Sequence, residues 1–298
     1  MVALIDTVDI CYFEVYLRKI KQVIGERPIN YLIINHMEPD HSGSIRLIKQ
    51  HYPEIIIVGN KQTFGMIEGF YGVTGEQYLV KEGDFLALGH HKLRFYMTPM
   101  VHWPETMMTF DETDGVLFSG DGFGCFGTVD GGFLDTRINV DKYWGEMVRY
   151  YSNIVGKYGS PVQKALQKLG GLPISAICST HGPVWTENIA KVIGIYDRLS
   201  RYDADEGVVI AYGSMYGNTE QMAEAIAEEL SAQGVKNIVM HNVTKSHPSY
   251  IIADIFRYKG LIIGSPTYSN QIFPEVEALL SKILLREVKG RYLGYFGS

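Results

Sequence analysis

The stretch Asn35-His-Met-Glu-Pro-Asp-His41 decides how this chain is read. It sets His36, Glu38, Asp40 and His41 within six residues, between the apolar run Tyr31-Leu-Ile-Ile34 and Ser42-Gly-Ser44. A short apolar run of this kind is expected to be a buried strand, and the cluster then lies at its end, ahead of a helical pattern. His36, Glu38 and Asp40 stand two residues apart, so an extended backbone would aim all three to one side, with His41 supplied from a turn. Two imidazoles with two carboxylates suit a pair of ions better than a single zinc. Carboxylates can bridge metals, and mixed nitrogen and oxygen ligation favours iron or manganese.

Three more residues of the same kind lie further along. His102 sits in Pro99-Met-Val-His-Trp-Pro-Glu105, after the strand-like residues 93–97. Asp121 follows the run Gly115-Val-Leu-Phe-Ser-Gly120, and His181 follows Ile174-Ser-Ala-Ile-Cys-Ser179 closely. Each is a ligand-type residue just beyond an apolar strand, where loops held by a rigid scaffold carry sites. One such residue is ordinary; three after the first cluster are not.

In this order, His-x-Glu-x-Asp-His followed by His, Asp and His, the sequence resembles the flavodiiron proteins (A-type flavoproteins). That family joins a metallo-β-lactamase-like αββα domain to a flavodoxin-like domain, so the fold class expected is α/β. The resemblance implies that His36, Glu38 and His102 hold one iron, that Asp40, His41 and His181 hold the other, and that Asp121 bridges them. Some family members leave the His41 position off the metal. The related hydrolases have His where this chain has Glu38 and bind zinc; an anionic oxygen ligand there hardens the site and stabilises ferric iron. Asp6 closes the run Val2-Ala-Leu-Ile5, and the same resemblance gives it a role in orienting the ligands from behind.

Composition agrees with an enzyme of the cytoplasm. The 298 residues, 46% hydrophobic and 20% charged, are ordinary for globular proteins and long enough for two cores. A net charge of -6 argues against nucleic acid or an anionic membrane as the main partner. Cys11, Cys125 and Cys178 show no paired spacing, so neither a disulfide framework nor a thiolate metal site is indicated. No apolar run reaches membrane-spanning length.

The domain boundary is expected in the polar stretch Ser200-Arg-Tyr-Asp-Ala-Asp-Glu-Gly207, giving domains over 1–206 and 207–298. Beyond it the pattern is β-α-β-α, with strands near 208–212, 236–240, 260–264 and 291–296, which predicts a parallel, doubly wound sheet. After the first strand, Ser214-Met-Tyr-Gly-Asn-Thr219 opens a helix. Its backbone N–H groups and the positive end of the helix dipole suit an anion. Without a lysine in the loop, a nucleotide triphosphate is disfavoured. The loop resembles the flavodoxin phosphate loop, which implies Ser214, Met215, Tyr216, Gly217, Asn218 and Thr219 around the monophosphate of FMN. Gly264-Ser-Pro-Thr-Tyr-Ser-Asn-Gln271 resembles the loop along the flavin ring. Ser265, Pro266, Thr267, Tyr268 and Asn270 are its candidate contacts, with Tyr268 placed to stack.

Other features carry less. Gly120-Asp-Gly-Phe-Gly-Cys-Phe-Gly127 is expected to be a loop around Asp121 rather than a dinucleotide fingerprint, since no helical pattern follows. His90-His91 has no carboxylate close in sequence and is expected in a solvated turn. Relatives of this kind are longer at both ends, so the chain is expected to be a fragment whose flavodoxin-like domain is incomplete and binds FMN weakly or not at all. The function expected is an oxidoreductase passing electrons from FMN to a diiron centre, reducing dioxygen to water or nitric oxide to nitrous oxide. The resemblance implies a head-to-tail homodimer or tetramer fed by rubredoxin, a reduced deazaflavin or a reductase. A zinc hydrolase of the metallo-β-lactamase superfamily is the competing class, and a non-catalytic flavin-binding electron carrier a third.

Overall fold

A computed structural model describes residues 1–129 and 131–297. Two compact units make it up. Residues 1–124, 128–139 and 164–192 form the first; 125–127, 140–163 and 193–298 form the second.

In the first unit, β1 (Ala3–Ile5), β2 (Tyr31–Ile33), β3 (Ile56–Gly59) and β4 (Gln77–Leu79) make a parallel sheet in that order. A second sheet runs β5 (Phe85–Leu88), β6 (His91–Met97), β7 (Met107–Asp111), β8 (Val116–Gly120) and β9 (Ala176–Ser179), antiparallel up to β8 and parallel between β8 and β9.

Strand periodicity sorts the apolar residues between two cores. Leu32, Ile34 and Ile57 pack with Phe13, Leu17 and Ile20 of α1 (Phe13–Ile24), Ile45 and Ile48 of α3 (Ile45–His51), and Phe64 and Ile67 of α4 (Lys61–Tyr71). The alternate residues Ile33 and Val58 face Leu86, Leu93, Phe95 and Met107, so they fill the space between the two sheets. The short turn α2 (Pro39–Ser42) lies between β2 and α3. Both faces of β2 are therefore dry, which is why its sequence reads as an unbroken apolar run. Each such fully buried Ile or Leu contributes about 1.5–3 kcal/mol, enough to fix the register that aims the residues after Ile34.

The second unit holds β10 (Asp205–Tyr212), β11 (Ile238–Asn242), β12 (Tyr258–Ser265) and β15 (Tyr292–Gly297), all parallel in the order β11-β10-β12-β15. This is the doubly wound arrangement expected from the alternation of strands and helices. Helices over Asn218–Ala232, Pro248–Arg257 and Pro274–Leu284 connect the strands. A small antiparallel hairpin, β13 (Thr267–Tyr268) with β14 (Gln271–Ile272), follows β12.

One expectation fails in the first unit. Only Gly89 and His90 form the turn; His91 begins β6, and its Nδ1 lies 2.7 Å from Asp111 Oδ2. Pairing of β6 with β7 brings in that carboxylate from twenty residues away, a contact that sequence neighbours do not reveal.

Candidate functional site

Strand ends deliver the ligand-type residues to one place. β1 runs into Asp6, which adopts φ 56°. This turn lets its Oδ1 accept the N–H of Asn35 at 2.7 Å and of His36 at 3.3 Å. Asp6 therefore holds the backbone after β2 rather than an imidazole. Burial pushes its carboxyl up to about 6, against the charges of His41 and His36 and the two N–H donors.

The extended run stops earlier than the spacing suggested. Glu38 is the last extended residue, and Pro39 opens α2. Proline suits a first helical position because its φ is fixed and its N–H missing. Asp40 and His41 thus swing away on a helical turn, and only His36 and Glu38 share a side. His102 comes from the connection between β6 and β7, Asp121 directly follows β8, and His181 follows β9.

The structure gathers all seven residues into two groups. His36, Glu38, His102 and Asp121 form one; Asp40, His41 and His181 form the other. Asp121 spans both. Its Oδ2 lies 3.0 Å from His102 Nε2 and 3.7 Å from His36 Nε2. Its Oδ1 lies 2.9 Å from His41 Nε2 and 3.4 Å from His181 Nε2, and accepts Thr180 Oγ1–H at 2.8 Å. Glu38 Oε2 lies 3.1 Å from His102 Nε2 and 3.4 Å from His36 Nε2, completing one set. Asp40 Oδ2 is 3.2 Å from His41 Nε2 and 3.3 Å from His181 Nε2, completing the other.

Cations fit these two sets. Donor atoms sharing an ion at about 2.1 Å lie roughly 3 to 3.5 Å apart in tetrahedral or octahedral geometry, close to the spacings found. His41 Nε2 and His181 Nε2 face each other at 3.2 Å, a pairing that a shared cation explains. His36 Nε2 is buried and has no hydrogen-bond partner among the described residues. The donor set, two imidazoles and one carboxylate per group plus one arm of Asp121, suits harder metals than a thiolate site would.

Electrostatics point the same way. Burial alone would lower the pKa of His36, but the carboxylates of Glu105 and Glu38 and the charge of Asp121 raise it to about 9. His41 and His181 behave likewise, reaching about 10 and about 9 through Asp121 and Asp40. The histidines hold Glu38 down at about 2. Burial works against ionisation of Asp121, yet its histidine partners keep it far below the usual carboxylate range. With these imidazoles shifted toward their protonated forms, metal binding would release protons.

The two groups differ in access. In the first only Glu38, at 37%, is open, with the His36 and His102 side chains 0% and 11% exposed, whereas in the second both Asp40 and His181 are open, at 41% and 36%. A small molecule would enter from that side. Trp103 closes the other, its ring edge-on to His36 at 5.3 Å.

Sequence reasoning missed Glu105. This fully buried residue accepts His36 Nδ1–H and Met37 N–H on Oε1, both at 2.9 Å. The signal available was an acidic residue between Pro104 and the apolar start of β7, where solvent exposure is not expected. Asn60 was missed as well. It caps α4 through Oδ1 and donates Nδ2–H to the backbone oxygen of Glu105 at 2.6 Å.

In the second unit, the residues read as flavin loops gather at the carboxyl ends of the neighbouring strands β10 and β12. The loop Ser214–Gly217 turns into the helix through Gly217 at φ 89°, with no side chain capping the first turn. Ser214 Oγ accepts Gly217 N–H at 3.1 Å, Thr219 is buried, and Met215 and Tyr216 are exposed. In the second loop Ser265 Oγ accepts Phe273 N–H at 3.1 Å. Thr267 and Tyr268 form one arm of the small hairpin, whose turn places Ser269 and Asn270 at φ 49° and 61°. Tyr268 is half exposed and edge-on to Phe273. Gly213 N–H donates to Gly264 O at 3.0 Å, tying the two loops together at their roots.

Comparison with known proteins agrees with both halves. Residues 1–182 match the family described as ODP family beta lactamase, and residues 210–297 match flavodoxin. An anaerobic nitric oxide reductase flavorubredoxin from Vibrio vulnificus is 32% identical over 99% of this chain and 60% of its own length. The chain thus spans about three-fifths of the curated relatives it matches. Rubredoxin oxygen:oxidoreductase from Desulfovibrio gigas superposes with a TM-score of 0.95 at 30% identity, covering 99% of this chain and 74% of that one. The flavodiiron protein of Giardia intestinalis gives 0.95 at 27% identity, covering 99% and 73%. With an ODP-type β-lactamase-like domain followed by a flavodoxin domain, this chain belongs to the flavodiiron proteins.

Proposed function

We propose that this chain is the core of a flavodiiron oxidoreductase that reduces dioxygen to water or nitric oxide to nitrous oxide. The observation that carries the reading is Asp121, which offers one oxygen to each of two matched sets of two imidazoles and a carboxylate. His36, Glu38 and His102 would hold one iron, and Asp40, His41 and His181 the other. His41 is turned inward, 2.9 Å from Asp121 Oδ1, which supports counting it among the ligands. Ser214–Thr219 would hold the phosphate of FMN, with Ser265, Pro266, Thr267, Tyr268 and Asn270 along its ring.

When bound, the flavin supplies electrons singly or in pairs, and the two irons together store two electrons beside a place for a diatomic molecule. The protein's own residues do the rest. Glu38, Asp40 and His181 leave one side open for a small gas. Trp103 and the buried ring of His36 close the other side. Thr180 Oγ1–H fixes the Asp121 arm that faces His41 and His181.

The relatives' names supply candidate substrates and a donor. One is a nitric oxide reductase flavorubredoxin and one a rubredoxin oxygen:oxidoreductase, so a rubredoxin-type donor is the first to test, ahead of a reduced deazaflavin or a reductase. We place the protein in the cytoplasm; among the described residues no helix is long and apolar enough to cross a membrane. A head-to-tail homodimer or tetramer is part of the same reading, as is the division into domains over 1–206 and 207–298.

The test is metal analysis of protein purified without oxygen, followed by consumption of dioxygen and nitric oxide with reduced rubredoxin. About two irons per chain, one for each donor group, and turnover of at least one gas are expected. Stoichiometric zinc with hydrolase turnover would sink the reading.

A further inference from the structure

The His36 ring is held more tightly than the site itself requires. Its Nδ1–H donates to Glu105 Oε1 at 2.9 Å, and its backbone N–H donates to Asp6 Oδ1 at 3.3 Å. Glu105 is 0% exposed and is held in turn by Met37 N–H at 2.9 Å and, through its backbone oxygen, by Asn60. Its Oε2 is buried and without a hydrogen-bond partner among the described residues. A buried carboxylate left half satisfied is unfavourable unless a positive charge lies close. A cation on His36 Nε2, across the imidazole ring, is such a charge.

The other rings are treated differently. Every carboxylate contact of His41 and His102 falls on Nε2, the atom that faces the site. Among the described residues, only His36 of these three has a carboxylate in contact with its outer nitrogen; Asp6 acts on His41 through its charge alone. A carboxylate on the outer nitrogen fixes the tautomer with Nε2 free to bind and raises the basicity of that nitrogen. The two donor sets, otherwise alike, are thereby made unequal.

We propose that Glu105 is a positioning residue that locks His36 with Nδ1 protonated, and that it makes the His36, Glu38 and His102 position the tighter of the two metal positions. The proposal rests on the diiron reading above, but it can fail without it. It implies stepwise loading: the buried position fills first, and the position nearer solvent fills second.

The experiment titrates metal-free full chain with cobalt(II) under argon, following the visible bands and heat, in wild type and in Glu105→Gln. Gln keeps an acceptor for His36 Nδ1–H and Met37 N–H and removes only the charge. The expected result is two equivalents in wild type, and in the variant one of them weakened roughly 10- to 100-fold with the other unchanged. Two unchanged equivalents would overturn the proposal. So would equal weakening of both equivalents, because that is what a merely structural role gives. Fewer than two equivalents in wild type would remove the diiron reading as well. If the variant does not fold, 15N shifts of zinc-loaded wild type decide the point. Protonated Nδ1 and metal-bound Nε2 on His36 are expected, and the reverse assignment refutes the role of Glu105.

Discussion

The proposed metal centre and the proposed flavin loops are made from opposite materials. The proposed metal centre is all side chain: seven imidazoles and carboxylates, brought from four separate segments, with the charges of one type balanced against the other. The flavin loops are mostly backbone: a glycine-led turn and a two-residue hairpin turn, with Met215, Tyr216 and Tyr268 left exposed. On this reading the first site would work by residue identity, and the second by the path the chain takes. A substitution that changes chemistry should therefore hurt the first far more, and one that changes only backbone freedom should hurt the second.

The largest effect expected is from Asp121→Ala. Both oxygens of Asp121 face rings, one set on each side, so its loss opens a coordination position in both groups at once. Residues one step behind a metal cost 10–100-fold when removed; a shared ligand should cost more than about 100-fold in turnover of either gas. Iron content should fall well below that of wild type while flavin titration is unchanged. Full turnover with a coupled diiron spectrum in the variant would show that Asp121 does not bridge.

Next comes Glu38→His, which tests why this site would hold iron. The change replaces an anionic oxygen donor by an imidazole at a half-exposed position, and softer nitrogen ligation favours zinc over iron. Protein grown with both metals should shift its zinc-to-iron ratio by about tenfold or more toward zinc. Wild-type iron content in this variant would mean that the other six residues choose the metal without Glu38.

What the sequence made legible follows the same division. His36, Glu38, Asp40, His41, His102, Asp121 and His181 could all be found because imidazoles and carboxylates at strand ends are rare without a purpose. The doubly wound sheet was legible from its alternating strands and helices. Glu105 was not, because nothing local distinguishes a buried acid from a surface one. The partner that makes sense of it, His36, is 69 residues away. The same holds for His91 and Asp111. The turn of Asp40 and His41 away from Glu38 was written in Pro39, but the even spacing of the acids masked it. The hairpin at Thr267–Ile272 rests on Ser269 and Asn270 in the left-handed region, which Asn tolerates more readily than most residues.

A smaller effect sharpens the contrast in metal-free protein. The raised values of His36, His41 and His181, about 9, 10 and 9, mean that protonated rings stabilise the fold. That contribution is complete below their unfolded value of about 6.5 and is lost as pH rises through about 9 to 10. Glu38, Asp40 and Asp121 are held low, so their contribution is present above about pH 4 and fades only in strong acid. Asp6, raised to about 6, opposes them as it ionises. The metal-free protein should therefore melt at progressively lower temperature between about pH 6.5 and pH 9.5, whereas the metal-loaded form, its rings already deprotonated, should not. Level melting of both forms across this range would show that the rings and carboxylates do not hold one another.

The smallest effect belongs to the flavin side. Gly217 ends the first loop at φ 89°, and a Cβ placed there would meet nothing within 4 Å. Gly217→Ala therefore adds no clash; it adds only the penalty for a left-handed backbone, about 1–2 kcal/mol. That strain bears on the turn that leads into Asn218 and Thr219, whose N–H groups would face the proposed phosphate position. Flavin affinity should fall by about 5- to 30-fold if the loop must keep its shape to bind, with iron content and cobalt titration unchanged. The control is Ser214→Ala, which removes the acceptor for Gly217 N–H but leaves the backbone allowed; its loss should be smaller, since a half-buried hydrogen bond contributes about 1 kcal/mol or less. If Ser214→Ala weakened flavin more than Gly217→Ala did, side-chain donors rather than the backbone path would define this site, and the contrast with the metal centre would be lost.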